Sequence, residues 1–227
     1  MPRQRAQGRG SAPPLPARAG KTGRTPDKKP LILKAAIKIF ARHGFSRART
    51  AAIAREARVA EGTIYNYFKS KDDIIVTIFD QTWRDQINAL KKLTGPMESP
   101  LEKLSAVISS VMELFKADLK LAEVFLVEFR QCGKCFSSQP ISVILEFLNL
   151  LEDILKDGIR KGMIRPDINT RIARGLLFGA LENIVLAWLL RTTHPEFFGK
   201  EEPYTLDEAR ETLIKLYLDG FAVHKVG

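Results

Sequence analysis

An all-α fold is what this sequence predicts, and three observations predict it. Apolar residues recur at three-and-four spacing in one segment after another from residue 30 onward. Helix start and stop signals bracket those segments. No stretch shows the sustained period-two alternation of a half-buried strand. The expected chain has about nine helices, three small ones followed by longer ones.

Residues 1–29 are rich in Arg, Pro, Gly, Ala and Ser with a single Leu, too little apolar surface to offset ordering entropy, so a disordered basic arm is expected there. Pro30 suits a first helical turn, and Ile32, Ala35, Ala36, Ile39 and Phe40 line one face of a helix that Gly44 stops. Thr50 is placed to cap a short helix over 51–57, and a second short helix over 61–67 follows after three residues. Ser70-Lys71-Asp72-Asp73 reads as a capping box that opens a longer helix with Ile74, Ile75, Ile78, Phe79 and Ile87 inward. Gly95-Pro96 ends that helix. Ser99-Pro100-Leu101-Glu102 starts another, and Thr205-Leu206-Asp207-Glu208 repeats the signal near the C-terminus. Helices are expected between them at 118–131, 140–161 and 168–191, with Gly162 and Pro166 in the last gap.

The 227 residues carry a net charge of +10 and are 45% hydrophobic, which argues against global disorder. The charge is unevenly placed: +7 over 1–29, another +7 over 30–71, and −4 over the remainder. A basic front on a slightly acidic body points to a polyanionic partner for the front alone. The N-terminus lacks the apolar core of a secretory signal, and the apolar run 176–190, broken by Glu182-Asn183, is too short and polar to cross a bilayer. Two cysteines make no disulfide framework, and a cytoplasmic location is expected, with no membrane partner.

Two short helices joined by a tight turn inside the basic segment are what major-groove readout requires. Gly62 lets a phosphate or base edge approach the backbone, and Thr50, Thr63, Asn66, Tyr67 and Lys71 offer groups of hydrogen-bonding length. The strings Thr50-Ala-Ala-Ile-Ala-Arg-Glu-Ala57 and Val59-Ala-Glu-Gly-Thr-Ile-Tyr-Asn-Tyr-Phe-Lys-Ser-Lys71 resemble the DNA-binding domain of the TetR family of bacterial transcription regulators. The resemblance implies a helix-turn-helix domain over 30–78. It also implies phosphate contacts from Thr50, Thr63, Asn66, Tyr67 and Lys71, and base-facing Glu61, Gly62 and Tyr65. Ile53, Ala54, Val59, Ile64 and Phe68 would form the domain core. Two positions depart from the family pattern. Arg58 replaces the usual turn Gly, at about 1–2 kcal/mol if its φ is positive, and offers a phosphate contact in exchange. Ala60 replaces a Ser or Thr cap, at about 1 kcal/mol.

Residues 79–227 would form an effector-binding and dimerisation domain. Leu177, Leu181, Ile184, Val185 and Trp188 on one helix, with Leu213, Leu216, Tyr217 and Phe221 on another, form stripes that suit an intersubunit four-helix bundle or packing within one protomer. Phe115, Phe125, Phe129, Phe136, Phe147, Phe178 and Trp188 make an aromatic interior, either plain core or a cavity wall, with Leu151 beside it. The segments 124–131, 147–162 and 171–179 resemble the fatty-acid-metabolism (FadR-like) subgroup of the family, whose members repress β-oxidation genes and are released by long-chain acyl-CoA. That resemblance implies a tail tunnel and a cationic mouth, for which Arg130, Arg171 and Arg174 are candidates, surface salt bridges being the other use of such residues. Glu182-Asn183, inside an apolar helix, suits a pocket wall or the dimer contact.

Cys132-Gly-Lys-Cys135 is a lone CxxC: incidental thiols, a redox pair or half of a metal site. His43, His194 and His224 are scattered, and no catalytic constellation or phosphate-binding loop is present. The expected protein is thus no enzyme and needs no cofactor or metal. It is a homodimeric repressor of fatty-acid degradation genes that binds a palindromic double-stranded operator. The alternatives are a repressor of an efflux pump sensing apolar drugs, or a helical lipid-binding protein with a basic appendage.

Overall fold

The expected helix order appears in a computed structural model that describes residues 27–199 and 203–221. Among these residues there are nine α-helices and no strand: α1 Lys29–His43, α2 Thr50–Ala57, α3 Glu61–Tyr65, α4 Lys71–Thr94, α5 Pro100–Ala117, α6 Leu119–Glu123, α7 Ser138–Arg160, α8 Thr170–Thr193 and α9 Leu206–Phe221. Most of the expected basic arm, residues 1–26, lies outside the described residues.

The start signals act as their chemistry dictates. The Ser70 hydroxyl accepts from the Asp73 N–H at 3.2 Å and the Ser99 hydroxyl from Glu102 at 3.4 Å. Thr205 and Glu208 bond reciprocally, Glu208 N–H to Thr205 at 3.1 Å and Thr205 N–H to the Glu208 carboxylate at 2.7 Å. Thr50 does not cap α2: Arg49 holds that position without a side-chain bond, and Thr50 is the first helical residue. The second short helix is also shorter than expected, ending at Tyr65, with Asn66 as its C-cap.

α1, α2 and α3 close over Ile32, Ile39, Phe40, Ile53, Ala54, Ile64 and Phe68, each at most 5% exposed, with Val59 half-buried against them. α4 runs from this head into the body, burying Ile74, Ile75 and Ile78 near its start and Trp83, Ile87 and Leu90 farther on. α5 and α7 pack against it and α8 packs on α5 and α7, and Phe147, Leu151, Leu155, Leu177 and Val185 are completely buried.

The continuous helix expected over 118–131 is broken. α6 lasts five residues and gives way to a π-helical turn, Val124–Glu128, then a 3-10 turn, Phe129–Gln131. The cause is tertiary: the widened turn carries the Glu128 side chain, 7% exposed, to the Phe45 N–H in the loop between α1 and α2.

α8 also extends beyond the apolar run first considered. Its most apolar 18-residue stretch has mean hydropathy 1.5, long and apolar enough by composition to cross a membrane, and only 28% of it is buried. Ile172 and Leu176, 61% and 63% exposed, lie one turn apart on its open side, and Leu216 of α9 is 67% exposed. Leu181, Val185 and Leu213, expected at a dimer interface, are instead at most 4% exposed and pack inside the protomer. Ile184, Trp188, Tyr217 and Phe221 are half-buried against the same core.

Candidate DNA interface and effector cavity

The turn between α2 and α3 forces Arg58 into the left-handed region, φ 56° and ψ 43°, so the strain expected of a non-glycine residue there is present. Its side chain is exposed. Ala60 begins α3 with no side-chain cap. A Cβ at Gly62 would meet nothing within 4 Å, so the protein's own packing does not require glycine there and the α3 N-terminus stays open to an approaching group.

The polar residues of the head form two groups. The Thr50 hydroxyl donates to the Glu61 carboxylate at 3.0 Å and lies 3.1 Å from the Tyr65 hydroxyl, which joins the start of α2 to α3. Tyr65 is 55% exposed, Glu61, Asn66 and Tyr67 are also exposed, and Thr63 is half-buried. The Tyr67 hydroxyl accepts the Lys28 N–H at 3.2 Å, tying the entry of α1 to the end of α3. Lys71 sits differently from its expected phosphate-facing role. Its ammonium donates to the carbonyls of Phe45 at 2.8 Å, Ser46 at 2.9 Å and Ala48 at 3.4 Å, and lies 4.6 Å from the Phe45 ring centroid. It clasps the α1–α2 loop from α4.

The body grips that same loop from the other side. The Glu128 carboxylate accepts the Phe45 N–H and, at 3.0 Å, the Gln131 side-chain amide. The Gln131 carbonyl oxygen accepts the Ser46 hydroxyl at 2.9 Å.

Beside this grip lies a cavity of about 480 Å³, within the range of small-molecule sites. α4 supplies one wall through Phe79 and Trp83, and the π and 3-10 turns supply another through Phe125, Leu126, Phe129 and Arg130. Phe79 stacks on Phe129 at 4.1 Å and on Phe125 at 5.0 Å between centroids, while Phe115 meets Phe125 edge-on at 5.8 Å. Phe178, Leu181 and Glu182 of α8 complete the far side, and Arg130 pairs with Glu182 in the lining.

Of the expected ligand residues, Phe115, Phe125, Phe129, Arg130, Phe178 and Glu182 line this cavity. Phe147 and Leu151 are core residues behind the wall, Phe147 supporting Trp83 at 4.8 Å. Trp188 packs against the core outside the lining. Arg174 pairs at 2.6 Å with Glu152, and Arg171, 80% exposed, lies 3.9 Å from the same carboxylate. With Lys156 at 2.7 Å the three cations hold the Glu152 carboxyl below its usual range, Lys156 first. These arginines therefore serve an ion cluster apart from the cavity. Phe136, expected in the interior, is 86% exposed, although it borders the cavity. Phe79 and Trp83 were missed as lining because their spacing on α4 marks them only as inward-facing.

A family model described as "Bacterial regulatory proteins, tetR family" matches residues 32–78, and one described as "YsiA-like protein, C-terminal region" matches 79–204. The "Fatty acid metabolism regulator protein" of Bacillus subtilis (strain 168) is 30% identical over 189 residues, 83% of this chain and 93% of that protein. A solved structure of the fatty acid degradation regulator FadR from Bacillus halodurans is similar at a TM-score of 0.75 and 29% identity, over 84% of this chain and 98% of that one. The Bacillus subtilis FadR structure, solved in complex with stearoyl-CoA, is similar at a TM-score of 0.75 and 29% identity, over 86% of this chain and 98% of that one. The helix-turn-helix string, the all-α architecture of the described residues and these likenesses meet in one conclusion: the chain belongs to the TetR family of transcription regulators and is not an enzyme.

Proposed function

We propose that the chain is a cytoplasmic, homodimeric repressor of fatty-acid degradation genes that binds a palindromic operator and releases it when a long-chain acyl-CoA enters the cavity. The observation that carries this reading is that the segment lining the cavity also holds the DNA-binding head: Phe125, Phe129 and Arg130 face the cavity, while Glu128 and Gln131 hold Phe45 and Ser46.

An acyl tail suits the aromatic walls, each buried methylene contributing about 0.8 kcal/mol. The anionic head suits Arg130, whose present partner is the Glu182 carboxylate. A phosphate drawing Arg130 from Glu182 would move the 3-10 turn, and with it Gln131 and Glu128. The α1–α2 loop would follow, and with it the spacing of the two recognition helices, which must sit on the order of 34–36 Å apart to meet successive major grooves. Coupling is reciprocal, so operator DNA must weaken acyl-CoA binding by the same factor. The open apolar side of α8, Ile172 and Leu176, together with Leu216 of α9, supplies the dimer contact in this reading rather than a lipid contact.

A thermal-shift panel of acyl-CoAs, free fatty acids and cationic drugs, paired with gel shifts on the protein's own promoter, tests the proposal. Stearoyl-CoA should raise the melting temperature and free the operator. Stabilisation by drugs alone would replace the acyl-CoA reading with that of an efflux-pump repressor.

A further inference from the structure

The CxxC segment lies where the cavity wall meets the first turn of α4. Cys132 is 2% exposed and its Sγ lies 3.3 Å from Asp72 Oδ1, to which it donates, while it accepts the Lys134 N–H at 3.3 Å. Lys134 also pairs with Asp73. Cys135 is half-buried and borders the cavity. Both thiols are free, and the Cys135 N–H donates to the Cys132 carbonyl at 3.2 Å, closing a tight turn over Gly133-Lys134. Such a turn brings its first and last Cα atoms within about 7 Å, a separation that overlaps what a disulfide spans.

We infer that Cys132 and Cys135 form a reversible disulfide when a hydroperoxide reaches the cavity wall, and that this bond weakens operator binding. The inference goes beyond the acyl-CoA reading and does not depend on it. Cys135, the accessible thiol, attacks one oxygen of the hydroperoxide. An S–O bond forms and the O–O bond breaks, two electrons pass from sulfur to oxygen, and the thiol proton leaves with the alcohol. Cys135 is then a sulfenic acid. Cys132 attacks that sulfur, the S–S bond forms and the S–O bond breaks, and the Cys132 proton passes through Asp72 Oδ1 to the departing hydroxide as water. Burial pushes the Cys132 thiol up to about 11, so it stays protonated and unreactive until the sulfenic acid forms beside it. Asp72 is the positioning residue that takes its proton.

The consequence for DNA follows from the neighbours. The bridge removes the thiol donor from Asp72 and draws the turn that carries Lys134 away from Asp73, at the helix end where Lys71 clasps the α1–α2 loop.

The test is intact-mass and peptide mapping of the full chain treated with cumene hydroperoxide, followed by gel shift on its operator. Wild type should lose two hydrogens, map to a Cys132–Cys135 peptide and lose about fivefold or more in operator affinity, all restored by dithiothreitol. C132S should instead accumulate a dimedone-reactive Cys135 and keep its operator affinity under peroxide. D72N should close the bridge more slowly and allow the sulfenic acid to be trapped. Failure of wild type to bridge would overturn the inference. So would equal loss of affinity in C132S, or bridging that leaves operator affinity unchanged. Failure of acyl-CoA to bind would leave the mass result untouched.

Discussion

Replacing Glu128 with Ala cuts the grip of the body on the head at one point. The Glu128 side chain is 7% exposed, and the amide it serves belongs to Phe45, a residue 4% exposed. Truncation leaves that buried N–H without its acceptor and deprives Gln131 of a 3.0 Å partner. A hydrogen bond to a charged group contributes about 1.5–3 kcal/mol, and a stranded buried donor costs within the same range. At roughly 2–4 °C per kcal/mol for a chain of this size, the melting temperature should fall by about 3–12 °C. Glu128→Gln keeps an acceptor but not the charge, and about half the loss is expected. Urea denaturation at pH 7 reads the stability. Amide exchange at Phe45 reads the local event, and the E128A variant should exchange that proton faster in otherwise native protein. The same variant should respond to acyl-CoA with a smaller loss of operator affinity, because the cavity wall no longer pulls on the loop. An E128A protein within about 0.5 kcal/mol of wild type, with unchanged exchange at Phe45, would refute the assignment of this contact as the link between body and head.

Further outcomes follow from other contacts. Gly158→Ala would place a Cβ 2.4 Å from Ile164 Cδ1 and 3.2 Å from Pro100 Cβ, and overpacking should cost about 1–3 kcal/mol in a urea melt; a neutral result would mean that α7 and the Ile164 loop shift freely. Arg58→Gly relieves a residue at φ 56° and should stabilise the head by about 1 kcal/mol, while weakening operator binding with a shallower salt dependence if the guanidinium meets phosphate; an unchanged salt slope removes that contact. Asp73 is held below the usual aspartate range by its hydrogen bond from Lys134. Its stabilising contribution is therefore present at neutral pH and lost as pH falls through the lowered folded-state value, so the stability gap between wild type and Lys134→Gln should close in acid; a gap constant with pH would contradict this.

How far the sequence could be read depends on whether the signal was local. Ser70, Ser99 and Thr205 act within one helical turn, and their caps formed where their spacing placed them. The helix-turn-helix string likewise packs Ile53, Ile64 and Phe68 inward, against α1, whose own apolar face lies directly before it in the sequence. The break at 124–131 was not legible, because its apolar spacing suits an α-helix and the partner that widens it, Phe45, lies 83 residues away. The cavity was half legible: aromatic residues announce an apolar interior, but whether Phe147 fills it or lines it depends on the angle between α4 and α7. Arg171 and Arg174 failed as mouth residues because Glu152, about four helical turns into α7 on an otherwise apolar buried face, recruits them. On α8 the apolar residues surround the helix, so periodicity alone could not separate the buried Leu181 and Val185 from the open Ile172 and Leu176.

The π turn has one further consequence, for chain length. Such a turn holds one residue more than the α turn it replaces, with the Phe129 N–H reaching back to the Val124 carbonyl. Deleting any single residue from 124–128 would let the segment rewind as ordinary helix. The residues after the deletion would keep their facing relative to α6, because the lost residue is the one that the wide turn absorbs. Arg130 and Phe129 would stay on the cavity side, whereas a deletion within α4 or α5, where no wide turn absorbs it, would turn everything beyond it by roughly 100°. A substitution scan preserves this spacing and samples only side chains. A deletion scan would find here a segment that absorbs the loss of one residue, provided that Glu128, which holds Phe45, is kept.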